Sequence, residues 1–392
     1  MNRKLLNKEV QDFLEENYSA DLSKMALKGS PFEGVSAREL AEQLSGKETA
    51  KKKLPLWFRT RNVIYPPKIN LEQTSSERTA EYKAKLVAGD SLLDLTGGFG
   101  IDSYYFARKI KKVIHTELDP ELSEIVEHNF KSLNAGNIDT IAGDGLKFLE
   151  GYSGKFDWIF IDPSRRSESG GKVFFLSDCL PNVPDNLDLL WAKTDNILIK
   201  TSPLLDLKAG LRELPGVSEI HIVAVENEVK ELLWVLRKGV SKALEMTTIN
   251  LRKKEDQIFR ANFKEEDSAE AYTAPLKFLY EPNAAIMKSG LFVELGKVYE
   301  LQKLHPNTQL FSSDELKDFP GRRFHIVQVI PYKKKKIRSS LDTKKANIAT
   351  RNFPETVASL RKQLKIGDGG DDYLFFTTGP SGEKLVLVCK KI

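Results

Sequence analysis

Along the first 85 residues apolar positions recur at spacings of three and four, as in "LLNKEVQDFLEEN" (5–17), "SARELAEQLSG" (36–46) and "SSERTAEYKAKLV" (75–87). That period predicts amphipathic helices. The last is expected to start at Ser75 or Ser76, which can cap it, with Glu77 in the first turn. From residue 91 the pattern changes to short runs rich in Ile and Val: "SLLDLT", "KKVIHTEL", "IDTIAGD", "FDWIFID", "DNILIKTS" and "SEIHIVAVE". Helical stretches such as "DPELSEIVEHNFKSLN" and "LLDLKAGLREL" separate them. Strand and helix in alternation predict an α/β fold, a parallel, doubly wound sheet with helices on both faces. "EVKELLWVLRKG" (228–239) is expected as a further helix, and "LEMTTINL" and "QIFRANF" as closing antiparallel strands.

The polar stretch "KEEDSAEAYTAP" (264–275) marks a linker. Residues 276–332 read as strand, helix, strand and strand. The tail reads as strand, helix and two strands joined at "GPSG" (379–382), a hairpin signal. Two small α+β units are therefore expected after the α/β domain. The expected boundaries are a helical region at 1–85, the α/β domain at 86–264, and small units at 275–318 and 319–392.

Composition adds limits. A single core seldom grows beyond about 250 residues, so a chain of 392 residues predicts two to four domains. With 41% hydrophobic and 29% charged residues it reads as globular, and no apolar run is long enough to cross a membrane. Cys179 and Cys389 stand far apart, and the five histidines are scattered, so neither a disulfide framework nor a metal site is expected. A cytoplasmic location follows as the expectation. Net charge is +5, but basic residues concentrate in "GKETAKKKLPLWFRTR" (46–61) and "YKKKKIRSSLDTKKANIATR" (332–351). Each run can be plain solvated surface, or can suit a polyanionic partner.

The chemistry gathers at strand ends. In "LLDLTGGFGID" a strand ends at Asp94 and leads into Thr96, Gly97, Gly98, Gly100 and Asp102. Glycines permit a tight turn and leave room for a ligand. The next strand ends at Glu117 and Leu118, twenty-three residues past Asp94, and the third at Asp144 and Gly145. The fourth ends in Asp162-Pro163-Ser164-Arg165-Arg166. Any one of these acids could be a helix cap. Four in order along the carboxyl edge describe a ligand with an ammonium (Asp94), a ribose (Glu117) and an adenine (Asp144), without phosphate cradling. That ligand is S-adenosyl-L-methionine.

On these residues, 86–262 resemble a class I S-adenosylmethionine-dependent methyltransferase, and "DLTGGFGIDSYYFA" with "VIHTELDP" is similar to trimethylguanosine synthase-type RNA methyltransferases. "KLPLWF", "YPPKINLEQTSSERTAEYKA", the Asp-Pro-x-Arg-Arg motif and "LYEPNAAIMKSGL" resemble a bacterial group of methyltransferases with a THUMP-like C-terminal domain. The resemblance implies a Rossmann-like sheet, ferredoxin-like and THUMP-like small domains, and an RNA substrate such as tRNA or rRNA. Amine methyltransferases of this class carry Asn/Asp-Pro-Pro-aromatic where this chain has Asp162 to Arg165. Arg165 in place of the aromatic can stack on a base or clamp phosphate. Asp162 is expected to orient or deprotonate the target, and Arg165 and Arg166 to hold base or phosphate. The helix over 71–84 reads as a capped amphipathic helix or as a lid. Other readings remain open: a protein or small-molecule methyltransferase, or a non-catalytic RNA-binding factor.

Overall fold

The computed structural model describes residues 1–19, 29–165, 175–240, 242–263, 272–341 and 343–392. It divides into two compact units: Met1–Ser218 with Leu232–Ser241, and Glu219–Glu231 with Lys242–Ile392.

The first unit opens with helices α1 (Lys8–Asn17), α2 (Ala37–Lys53), α3 (Pro55–Arg59), α4 (Lys68–Gln73) and α5 (Glu77–Ala84). Ser36 and Ser76 cap α2 and α5 with reciprocal side-chain bonds to Glu39 and Thr79. Then strand and helix alternate as expected: β1 (Ser91–Asp94), α6 (Ile101–Ala107), β2 (Lys112–Glu117), α7 (Pro120–Ser132), β3 (Ile138–Ala142), α8 (Gly145–Gly151) and β4 (Trp158–Ile161). After the short strands β5 (Ser164–Arg165) and β6 (Cys179–Leu180) come α9 (Leu187–Lys193), β7 (Asn196–Thr201) and α10 (Leu207–Glu213). β1 pairs in parallel with β2 on one side and β4 on the other, β2 with β3, and β4 with β7. The chain thus turns outward in both directions from β1, and the crevice between the tips of β1 and β4 is the switch point where such sheets bind ligands.

One element differs from expectation. Residues 228–239 form a strand, not a helix: β8 (Val217–Val225) and β9 (Glu228–Arg237) are joined at Glu226 and Asn227, both with positive φ. Leu232 to Arg237 pair antiparallel with β7, so the sheet is mixed. The six residues Glu231 to Leu236 are all buried. A strand covered on both faces shows a continuous apolar run, which periodicity cannot tell from a buried helix.

In the second unit β10 (Glu245–Leu251) pairs in parallel with β8 and antiparallel with β11 (Gln257–Asn262), matching the expected closing strands. The rest is a seven-stranded sheet built from β12 (Phe278–Pro282), β13 (Gln302–His305), β14 (Thr308–Ser313), β15 (Gly321–Pro331), β16 (Asn347–Arg351), β17 (Asp372–Thr378) and β18 (Lys384–Lys391), in the order β13-β14-β12-β15-β18-β17-β16. A β13–β14 hairpin stands where a single strand was expected. β12 pairs with β15 from Phe278↔His325 to Pro282↔Gly321, so both small regions share this sheet. The expected hairpin at Gly379–Gly382 joins β17 to β18. The linker reading falls mostly on 264–271, outside the described residues.

Candidate cofactor and catalytic site

The glycine loop is fixed by close approach. A Cβ on Gly97 would lie 2.0 Å from the ring of His115, and one on Gly100 would lie 2.6 Å from Phe130. Gly98 and Gly100 have φ of 54° and 78°, which side chains resist. Gly98 also has open space beside it, where a ligand can approach. Gly145 packs so tightly on the carbonyl of Leu95 that no side chain fits.

Asp94 ends β1 at 0% exposure, beneath the loop. Its carboxylate accepts hydrogen bonds from the Ser103 hydroxyl at 2.5 Å and the Thr96 N–H at 3.2 Å. Ser103 in turn meets Nδ1 of buried His115 at 3.0 Å. Burial pushes the Asp94 carboxyl up to about 7, aided by the nearby charges of Asp102 and Asp162. Burial drives the His115 imidazole down to about 3. The structure thus turns Asp94 into the loop's foundation; an ammonium group meets no open carboxylate there.

Glu117 and Leu118 occupy the tip of β2. Glu117 accepts from Gly98 N–H at 2.9 Å and from Asp119 N–H at 2.8 Å, and it remains half-buried at the rim of the loop. Leu118 is 72% exposed, an apolar face at a strand tip. Asp144 caps α8, its Oδ1 accepting from Leu146 and Lys147 N–H at 2.9 and 3.4 Å. It is exposed, so the cap role leaves it on the open edge.

Asp162 closes the group. Its backbone N–H donates to Thr96 Oγ1 at 2.6 Å, which ties the tip of β4 to the glycine loop. Its side chain forms an ion pair with Lys200 from β7. Ser164 and Arg165 pair with Leu180 and Cys179 in the two-residue β5–β6 ladder, and Ser164 Oγ donates to the Leu180 carbonyl at 3.3 Å. Pro163 is half-buried between them. Arg166 lies outside the described residues. Asp102, on α6, accepts a hydrogen bond from Ser75 and forms an ion pair with Lys83, both from the N-terminal region.

Direct bonds therefore join Asp162 to Thr96 and Glu117 to Gly98, with Gly97 between the two in the chain and Asp94 below them. Sequence reasoning missed Lys200, Lys83 and Ser75 as partners. A signal existed: Lys200 interrupts "NILIKTS", an apolar strand, and a charge there needs a counter-ion. A concavity of about 730 Å³ lined by Phe130, Lys131 and Asp139 lies at the start of β3, at the other end of that strand, and takes no part.

These residues fit S-adenosylmethionine. The loop's charged neighbours are acids, and the Gly98 N–H is already given to Glu117, so little is left to cradle a pyrophosphate. The open side of Gly98, the rim carboxylate of Glu117 and the bare face of Leu118 suit an adenosyl group.

Comparison with known proteins agrees. Residues 278–320 match a family model for a ferredoxin-like domain, and residues 321–391 one described as THUMP domain-like. A crystal structure from Porphyromonas gingivalis W83, provisionally named a methyltransferase, is 29% identical, covers 100% of this chain and 98% of its own, and superposes with a TM-score of 0.89. An uncharacterized S-adenosylmethionine-dependent methyltransferase of Mycobacterium tuberculosis is 24% identical over 76% of this chain and 79% of its own. A Methanosarcina barkeri protein, provisionally named ribosomal RNA small subunit methyltransferase A, is 42% identical over 64 residues, 16% of this chain and 22% of its own. Together, fold, site and relatives make this chain an S-adenosylmethionine-dependent methyltransferase with ferredoxin-like and THUMP-like domains at its C-terminal end.

Proposed function

We propose that the chain methylates a base in RNA, with tRNA or rRNA as substrate. The observation that carries this reading is the bond from Asp162 to Thr96, which holds the first residue of the Asp-Pro-Ser-Arg-Arg motif against the glycine loop. The THUMP domain-like region at 321–391 and the short similarity to a protein named for ribosomal RNA support RNA as the partner. Such a substrate would place the enzyme in the cytoplasm. Among the described residues no helix is long and apolar enough to cross a membrane.

When bound, S-adenosylmethionine supplies a methyl group already activated on a sulfonium. In this reading Glu117 holds the ribose hydroxyls, Leu118 covers a face of the adenine, and Asp144 receives its amine. Asp94 acts one step back, through Thr96 and Ser103, by fixing the loop. Asp162 accepts an N–H of the target base, orienting its lone pair or taking its proton, while Lys200 holds the carboxylate in place. Arg165 and Arg166 contribute planar cations for a base flipped out of its stack or for its phosphate. Alignment supplies much of the rate with such a donor.

Mass spectrometry of nucleosides tests this. RNA from cells lacking the gene should lose one methylated nucleoside from tRNA or rRNA. The wild-type gene should restore it, and an Asp162→Ala gene should not. An unchanged nucleoside profile, with methyl transfer instead to protein or a small molecule, would overturn the RNA reading.

A further inference from the structure

A fully buried lysine has no purpose in a simple amphipathic helix. Lys83 lies on α5 with its side chain 0% exposed, and its Nζ stands 3.2 Å from Asp102 Oδ1 on α6. Ser75 closes the ring: its hydroxyl accepts from Lys83 Nζ at 3.0 Å and donates to Asp102 Oδ2 at 2.8 Å. Taking such charges out of water is costly, and apolar residues would pack the two helices at least as well. The charges therefore serve something other than adhesion.

Their position says what. Asp102 follows Gly100 by two residues, in the first turn of α6, where the glycine loop ends. The N-terminal helices grip α6 at further points: Trp57 meets Tyr104 edge-on at 4.9 Å, and Glu77 takes bonds from Tyr105 and the Leu56 N–H. Asp102 is also one of the carboxylates crowding buried Asp94, and Lys83 offsets its charge from one side as Lys200 offsets Asp162 from the other. We propose that Lys83 and Ser75 are positioning residues for the cofactor loop, acting through Asp102 to fix the Gly97–Gly100 turn and the Glu117 side chain bonded to it. The N-terminal region thereby completes the cofactor half of the site, a role distinct from gripping substrate. This rests on the reading of that loop as the S-adenosylmethionine site.

Calorimetric titration with S-adenosylhomocysteine, beside thermal unfolding of the same full-length proteins, tests the proposal. Lys83→Met and Asp102→Asn each remove one charge of the buried pair, and both should lower the unfolding midpoint and weaken binding at least tenfold. The Lys83→Met/Asp102→Asn double variant removes both charges together. It should regain most of the midpoint and still bind at least tenfold more weakly than wild type. Ser75→Ala keeps the ion pair but removes a bond to each charge, and should weaken binding severalfold with a smaller fall in the midpoint than either charge variant. A purely structural trio would move the midpoint and leave affinity alone. Wild-type affinity in both Ser75→Ala and a folded double variant overturns the proposal. Absence of binding by the wild type would instead overturn the cofactor reading beneath it.

Discussion

Around the glycine loop the side chains are shut away: Asp94, Ser103 and His115 are each 0% exposed, and two glycines have no room for a methyl group. At the Asp162 turn the packing is looser, with Asp162 33% exposed and, among the described residues, a ladder of just two residue pairs between Ser164–Arg165 and Cys179–Leu180. The difference follows from what each half must do. A single small ligand allows a rigid, preorganised cradle, in which the carboxylates of Asp94 and Glu117 already have their bonds. The RNA target proposed above would have to enter and leave, which suits a half that keeps the Asp162 carboxylate open while a backbone bond to Thr96 holds it in register with the cradle.

That contrast breaks most sharply at Asp162. Asp162→Ala is expected to lower turnover by about 10²–10⁴-fold, the range for a positioned acid–base group. Affinity for S-adenosylhomocysteine should stay within a few fold, because Thr96 bonds the Asp162 backbone and not its side chain. Lys200→Met should lower turnover less, by freeing the carboxylate from one orientation. If either variant loses cofactor binding along with turnover, the two halves are not separable.

Gly97 sharpens the comparison from the other side. Gly97→Ala forces a methyl group into the ring of a histidine that has nowhere to go, and overpacking of that kind costs about 1–3 kcal/mol. The expected outcome is a lower unfolding midpoint and weaker cofactor binding together. Gly98→Ala meets only the Thr96 carbonyl at 4.0 Å, so its effect should come from the positive φ alone and be smaller in the melting curve. Equal losses in the two would show that space beneath the loop is not what holds it.

The rigid half was also the legible half. Strand, acid and glycines follow each other in sequence, and β1 to β4 appear where alternation put them. What escaped was everything set by tertiary partners. Ser75 read as a helix cap and Lys83 as part of a capped amphipathic helix or lid, because a helical pattern does not say which residue meets a neighbour's carboxylate. Asp94 looked open to ligand because it ends a strand, but Ser103, nine residues on, turns back to it. Residues 228–239 read as a helix because burial on both faces erases the period of two. The turn half was legible in composition only: the sequence shows two arginines, and the described residues reach Arg165, where the backbone pairs with Cys179.

The smallest expected effect probes the foundation of the rigid half. Asp94 faces Ser103 and Thr96 directly, His115 through Ser103, and the pairs Asp102–Lys83 and Asp162–Lys200 at longer range. Its carboxyl is raised from 3.8 to about 7, mainly by burial. Between those values the folded protein holds a proton that the unfolded chain has released. The stability this contributes is full below the lower value and drains away as pH rises through the higher one. From pH 6 to pH 8 the wild type should lose about 1 kcal/mol relative to Asp94→Asn, whose amide cannot ionise. Denaturant unfolding of both proteins across that range reads the difference directly, and other titrating groups cancel in it. Parallel stability curves would mean that Asp94 is ionised throughout, and that the cradle holds a buried charge which Ser103 and Thr96 alone make tolerable.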